Sequence, residues 1–364
     1  MFEIKPSVFA VRDSYIIMVP SPSPTVMWVR VGDRCFYDDS NGILRSDTRV
    51  HRMTVPAAVL DNARSYTVCA REMIERKPYF SKTGDVIEET FAFKPLEGDT
   101  FRAYHVSDTH NMVDKPVAAA RAFGDVDLLV MNGDVPDHSG KIENFDNIYE
   151  ISWQITKGRI PAVFSRGNHD LRGIAAEKLA DYTPTDNGRS YYTFRAGPVW
   201  GIVLDCGEDK RDDHPEYGNT ICCRDFRIRQ TEFIKEVISR STSEYAEAGV
   251  KYKLLIAHIP FTRDLASLFR REKETFAEWA SLLREHVKPH VFMAGHEHAL
   301  SVDRVGGEQD FIGQPCTVVI GSNIRHAEDY YAGTGFEFSY DTVKVTFTSA
   351  GGSIQGTDEF EIGK

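Results

Sequence analysis

Two aspartates, an asparagine and four histidines stand at the ends of five short apolar runs. Ala103–Ser107 leads into Asp108-Thr109-His110, Asp127–Asn132 into Gly133-Asp134, and Ala162–Arg166 into Gly167-Asn168-His169-Asp170. Lys253–Ala257 leads into His258, and Val291–Ala294 into Gly295-His296-Glu297-His298. An apolar strand that feeds a loop is where α/β proteins place their chemistry. Carboxylate, amide and imidazole ligands together suit Mn, Fe, Zn or Mg. One such ending carries little weight; five of matching chemistry point to a metal site assembled across a sheet.

Counting sets the number of ions. Asp108, His110, Asp134, Asn168, His258, His296 and His298 are too many ligands for one tetrahedral ion, and too few for two unless one is shared. A carboxylate can bridge, and Asp134 lies in the middle of the order. The expectation is two divalent or mixed-valence ions (Mn, Fe, Zn or Mg), about 3.5–4 Å apart, with a hydroxide held between them. His105, inside a strand pattern, reads as an ordinary core histidine.

The elements that must position these residues follow from periodicity. From Phe101 onward apolar strands alternate with helical patterns, expected over Lys115–Phe123, Asn144–Lys157, Leu171–Asp181, Arg224–Ser239 and Asp264–His286. The chain ends in strands again, at Thr317–Ile320 and Thr342–Phe347. The first 97 residues differ. Thr25–Val31, Arg49–Val55 and Ser65–Arg71 alternate with period two, Glu89–Phe93 adds a last short run, and turn residues separate them. We expect an all-β sandwich over 1–97 and an α/β unit over 98–364.

Composition excludes several classes. The chain has 364 residues, and neither its 41% hydrophobic share nor its 27% charged share is unusual for a folded protein. No apolar run approaches the roughly 20 residues of a membrane helix, and no membrane partner is expected. A net charge of −11 argues against a nucleic-acid partner and for a small or protein-borne substrate. Six cysteines without a CxxC pair read as free thiols. Met1–Pro6 shows no basic cluster before an apolar core, so a cytoplasmic setting is expected.

The set Asp108-x-His110, Gly133-Asp134, Gly167-Asn168-His169-Asp170, His258 and Gly295-His296-x-His298 resembles the calcineurin-like metallophosphoesterase superfamily. The resemblance implies a four-layer αββα sandwich with a dinuclear site at the strand ends. It further implies Asp108, His110 and His298 on one metal, Asn168, His258 and His296 on the other, and Asp134 shared. A β domain followed by this unit looks like the purple acid phosphatases, whose first domain is fibronectin type III-like. Two departures stand out: Asp137 occupies the place of that group's iron-binding tyrosine, and Asp170 replaces the glutamate of its GNHE. A committed ferric iron is therefore not implied.

His169, beside Asn168, is the candidate acid for the leaving group, with Asp170 expected to orient its ring. Arg166 offers a fork of donors to phosphate, as in the serine/threonine phosphatases that its Arg-Gly-Asn-His stretch resembles. The mixed-charge segment 207–218 is expected on the catalytic rim, as is Asn323–His326. The expected activity is a phosphomonoesterase. A phosphodiesterase of small phosphodiesters or cyclic nucleotides is the alternative within enzymes, and an inactive binding module lies outside them.

Overall fold

The computed structural model describes residues 3–263 and 272–363. All five ligand-bearing runs are strands. Thr100–Val106, Leu128–Asn132 and Ala162–Ser165 lie side by side and parallel within a ten-stranded sheet. Tyr252–Ile256 and Val291–Ala294 are parallel neighbours within a six-stranded sheet. Parallel pairing places the carboxyl ends of neighbouring strands together, which brings distant loops into one cluster.

Side-chain alternation explains how the two sheets stack. Leu254, Ile256, Val291 and Met293 join a buried cluster that contains Val106, Met131 and Val163 of the first sheet. Their neighbours Leu255, Phe292 and Ala294 join a second cluster with Phe233, Ile234, Phe276 and Trp279. Those four belong to the helices Cys223–Ser239 and Lys273–Leu282. Period two thus turns one face of the second sheet to its partner sheet and the other to helices. Helices Asp114–Phe123 and Asp146–Thr156 pack on the first sheet. The architecture is an α/β sandwich of two facing sheets, with helices on each.

The N-terminal region is divided between two sheets. Ser7–Val11 is buried at every position, as a strand covered on both faces must be. It runs parallel to Ala162–Ser165, and Ser14–Pro20 and then Val50–Pro56 extend the same sheet beyond it. Thr25–Val31, Arg34–Tyr37, Ser65–Glu75 and Lys82–Ala92 form a separate four-stranded sheet, a distinct N-terminal β region. Its Met27, Val29, Val31 and Val68 share one hydrophobic cluster with Val8 and Ile17 of the large sheet. The expected boundary at residue 97 therefore falls between stretches that share a sheet and a core.

Two expected helices differ. Over Leu171–Asp181 the chain makes 3₁₀ turns and the short helix Leu179–Tyr182, because Gly173 at φ +118 breaks any continuous helix. Of the expected Asp264–His286, residues 264–271 lie outside the described residues. Lys273–Leu282 is helical and widens into a π turn at Leu283–Val287.

Shared pairing makes the first hundred residues structurally necessary to the rest. A chain begun at residue 98 would strip Ala162–Ser165 of one of its two parallel neighbours and expose the apolar surface that Phe9 and Ile17 cover. The expected outcome is loss of a cooperative thermal transition in circular dichroism. A truncated chain melting cooperatively near the full-length Tm would contradict this.

Candidate metal centre

The ligand-bearing loops leave their strands by an uncommon route. Asp108, His110, Asp134, His296 and His298 all have positive φ, between 42° and 70°. Side chains other than glycine adopt this left-handed conformation at about 1–2 kcal/mol each, and it gathers at functional sites. Neighbouring glycines let these loops nest. A Cβ on Gly133, at φ +78, would lie 2.5 Å from the Gly167 nitrogen and 2.8 Å from His258 Nδ1. One on Gly295 would lie 2.0 Å from Ser107 Oγ and 2.5 Å from Asp108 Oδ2.

The side chains converge as two triads. Ligand atoms of Asp108, His110 and His298 lie within 4.8 Å of one another, as do those of Asp134, His258 and His296. His110 Nε2 and His298 Nε2 are 3.2 Å apart, and His298 Nε2 is 3.5 Å from Asp108 Oδ1. Two nitrogens bound tetrahedrally to one ion at 2.0–2.1 Å stand about 3.3 Å apart, so this spacing fits a shared cation. His258 Nε2 faces Asp134 Oδ2 at 3.1 Å and Asp108 Oδ1 at 3.7 Å. Its Nδ1–H donates to the Asn132 carbonyl at 2.7 Å, which aims Nε2 inward at the two carboxylates. His296 Nδ1 meets Asn168 Oδ1 at 3.0 Å and brings the amide into the second triad.

Electrostatics ask for a cation here. Asp108 and Asp134 are buried, and no lysine or arginine pairs with either among the described residues. Burial opposes the charge of Asp108, but His258, His298 and the Ser107 hydroxyl hold its carboxyl well below the usual range. Burial likewise opposes protonation of His258, yet the Asp134 and Asp108 charges push it up to about 10. His296 moves the other way, down to about 4, through burial and the charge of His258. Carboxylates that draw a proton this strongly onto an imidazole attract a metal ion for the same reason. The residues present fit a dinuclear metal site built from histidines and aspartates.

His169 stands at the edge of this centre, its ring 4.6 Å from that of His110. Its Nδ1 donates to the Asp137 carbonyl at 2.7 Å, and its Nε2 accepts from Arg172 Nη1 at 3.1 Å. Asp170, expected to orient this ring, is engaged elsewhere: its Oδ2 accepts from the Gly167 and Asp134 amides. Burial and the Asp134 charge push the Asp170 carboxyl up to about 7. It ties two ligand loops together, and the ring is oriented by Asp137 and Arg172 instead. Asp137 also forms a further group with His110 and His169, all within 4.8 Å.

Arg172 is the residue that sequence reasoning missed. Its guanidinium bonds Glu208 through Nε and Nη2 at 2.9 Å each, and Asp209 at 3.2 Å. Tyr217 Oη donates to the same two carboxylates. The segment 207–218, expected on the rim, is thus anchored to His169 through Arg172. Arg166, expected on phosphate, pairs through Nε with Asp205 at 2.6 Å and lies over the Phe226 ring. His326 also reaches the rim, with its ring 6.0 Å from that of His110. His105 is a core histidine, buried and lowered to about 4 by that burial. The one sequence signal for Arg172 was its place three residues after His169, on a turn already rich in ligands.

The calcineurin-like phosphoesterase family model matches residues 101–300, the stretch that carries every ligand of both triads. The chain belongs to the calcineurin-like phosphoesterase family. Among solved structures it is similar to a purple acid phosphatase, PPD1, from yellow lupin (Lupinus luteus) seeds, at 11% identity and a TM-score of 0.63. That match covers 98% of this chain and 74% of the lupin chain, and it speaks for the fold alone. A conserved Streptococcus pneumoniae TIGR4 protein named as a phosphoesterase matches at 12% identity and TM-score 0.35, covering 72% of this chain and 98% of that one. Vacuolar Protein Sorting 29 from Cryptosporidium parvum matches at 10% identity and TM-score 0.36, covering 72% and 100%. Both are too distant to add to the fold assignment. No curated protein sequence matches. A calcineurin-like domain with two ligand triads makes this chain a metallophosphoesterase by family, and supports a catalytic role over a purely structural one.

Two outcomes follow from the centre. His258 holds a proton up to about pH 10, and a metal ligand must be deprotonated, so binding Mn²⁺ or Zn²⁺ expels it. Metal affinity therefore rises with pH through neutrality, and calorimetry in buffers of different ionisation heat should read about one proton released at this position. No release and a flat pH dependence would count against the assignment. Separately, Arg172→Gln should lower kcat about tenfold or more for esters of poor leaving groups and less for activated aryl esters, because the loss falls on proton donation. An equal fall for both classes would reduce Arg172 to a structural tie.

Proposed function

We propose that this chain hydrolyses phosphate monoesters of small molecules, using two metal ions and His169 as the acid. The observation that carries this reading is the pair of triads at converging strand ends, with an imidazole beside them that belongs to neither triad. In this reading Asp108, His110 and His298 would hold one ion and Asn168, His258 and His296 the other, with Asp134 shared. Bound there, two divalent ions supply Lewis acidity toward phosphoryl oxygens and a strong nucleophile near neutral pH.

The remaining work falls to the protein's own groups. An entering phosphate competes for the Arg172 Nη1 donor that His169 Nε2 accepts. Once that bond is exchanged, Nε2 can carry a proton to the leaving oxygen, while Nδ1 stays fixed on the Asp137 carbonyl. The ring then needs no reorientation during the reaction, which is how a positioned acid gains its advantage. Arg166, backed by Asp205, lies on the approach to the same turn.

Finer points belong to the same proposal. The four-stranded sheet is read as the counterpart of the fibronectin type III-like unit of purple acid phosphatases, supported by the lupin enzyme's coverage of 98% of this chain. Six free cysteines, four of them buried, support a reducing, cytoplasmic setting. The acidic net charge supports a small-molecule substrate over nucleic acid.

Paired assays test the reading. With Mn²⁺ supplied, para-nitrophenyl phosphate should be hydrolysed faster than bis(para-nitrophenyl) phosphate. Excess chelator should abolish turnover, and Asp134→Asn should lower kcat/KM on the order of a hundredfold or more, with less metal retained on elemental analysis. Turnover indifferent to chelator would sink the proposal. A faster diester would move it to a phosphodiesterase.

A further inference from the structure

A cavity of about 520 Å³ opens beside the turn that carries Asn168 and His169. Arg166 and Leu171, which flank that turn, line it together with Ile174, Cys222, Phe226 and Arg229. Its size lies within the usual range of small-molecule sites, about 300–1,000 Å³. Its wall is more apolar than polar. Ile174 is 78% exposed, held there by a turn that Gly173 makes possible at φ +118. An isoleucine kept that open at a cavity rim is available to a ligand.

The charge of the cavity runs against the rest of the molecule. The chain carries −11, yet two guanidiniums flank one ring here, Arg166 at 5.2 Å and Arg229 at 5.7 Å from the Phe226 centroid. Arg166 spends its Nε on Asp205, and its Nη groups have no hydrogen-bond partner among the described residues. Arg229 has no ion-pair partner among the described residues, and Glu177 is the one carboxylate in the lining. An open aliphatic wall, guanidinium planes laid over Phe226 and, in Arg229, a cation without an ion-pair partner among the described residues together recognise a planar ring with a negative substituent.

Resting on the phosphohydrolase reading, we propose that this cavity receives the alcohol half of the substrate, and that this half is an aromatic ring bearing an acidic group. The phosphate sits at the two triads, the ring lies against Phe226 and Ile174, and the acidic group meets Arg229. Arg166 and Leu171 stand two residues to either side of the Asn168-His169 pair and both line the cavity, so it adjoins the turn that carries the acid.

The full chain with Mn²⁺ is assayed on three esters: para-carboxyphenyl phosphate, phenyl phosphate and para-trimethylammoniophenyl phosphate. The carboxylated ester should show the lowest KM, about five- to tenfold below the cationic one, and Arg229→Glu should invert that order. Ile174→Ser should raise KM for all three and leave a small alkyl phosphate unchanged. KM values blind to charge in both proteins overturn the assignment while leaving the phosphohydrolase reading intact. Binding of para-hydroxybenzoate, followed by ligand-observed NMR, separates the two ideas. Saturable binding weakened by Arg229→Glu supports the cavity even where no ester is turned over, a result that would condemn only the catalytic reading. Absence of saturable binding overturns the cavity proposal.

Discussion

Asp108 and Asp134 are buried carboxylates with no lysine or arginine against them among the described residues, and the rest of the molecule answers to that constraint. Ionised groups in such a place are destabilising by several kcal/mol unless charge or hydrogen bonds are returned to them. Asp108 accepts from Ser107 Oγ, Ser322 Oγ and the His296 amide. Asp134 accepts from the His169 amide and shares His258 with Asp108. Donors come from both sheets, so the demand of two carboxylates is also a force holding the sheets in register at one end.

Backbone geometry makes that arrangement hard to relax. Five ligands in left-handed conformations carry stored strain, and each persists because a strand fixes the chain on one side and a close loop on the other. Asn132 braces the two sheets just beneath. Its side-chain amide donates to the Ala257 and Met293 carbonyls, at the ends of two strands of the opposite sheet. A ligand shell built on strand ends and cross-braced in this way is preorganised, and needs little rearrangement to accept ions.

Much of this was legible in the sequence because it depends on local order. Apolar runs that end in ligand residues name both the strands and the centre, and every one of the five proved to be a strand. Thr25–Val31 matches its expected bounds. Partnership was not legible. Ser14–Pro20 and Val50–Pro56 look alike in pattern to strands of the four-stranded sheet, since period two reports that a face is buried and not what buries it. Asp170 was assigned to the His169 ring by adjacency, whereas a turn carried its carboxylate back to two amides. Arg172 eluded notice because its meaning lies in Glu208 and Asp209, residues dozens of positions away that only the fold brings near.

The arginines around the centre bear on how an acidic protein can take an acidic substrate. Arg172 is matched by Glu208 and Asp209, and Arg166 by Asp205, so neither contributes net positive charge. They fix geometry: Arg172 holds the His169 imidazole, and Arg166 borders the same turn. Attraction for a phosphate would then fall to divalent ions at the two triads, whose combined charge would exceed that of Asp108 and Asp134. This division leaves the main hold on phosphate with the ions, and Arg172 adds a single donor. It also makes substrate affinity and catalysis depend on the same occupancy, so that loss of metal removes both the pull on the phosphate and the chemistry performed on it.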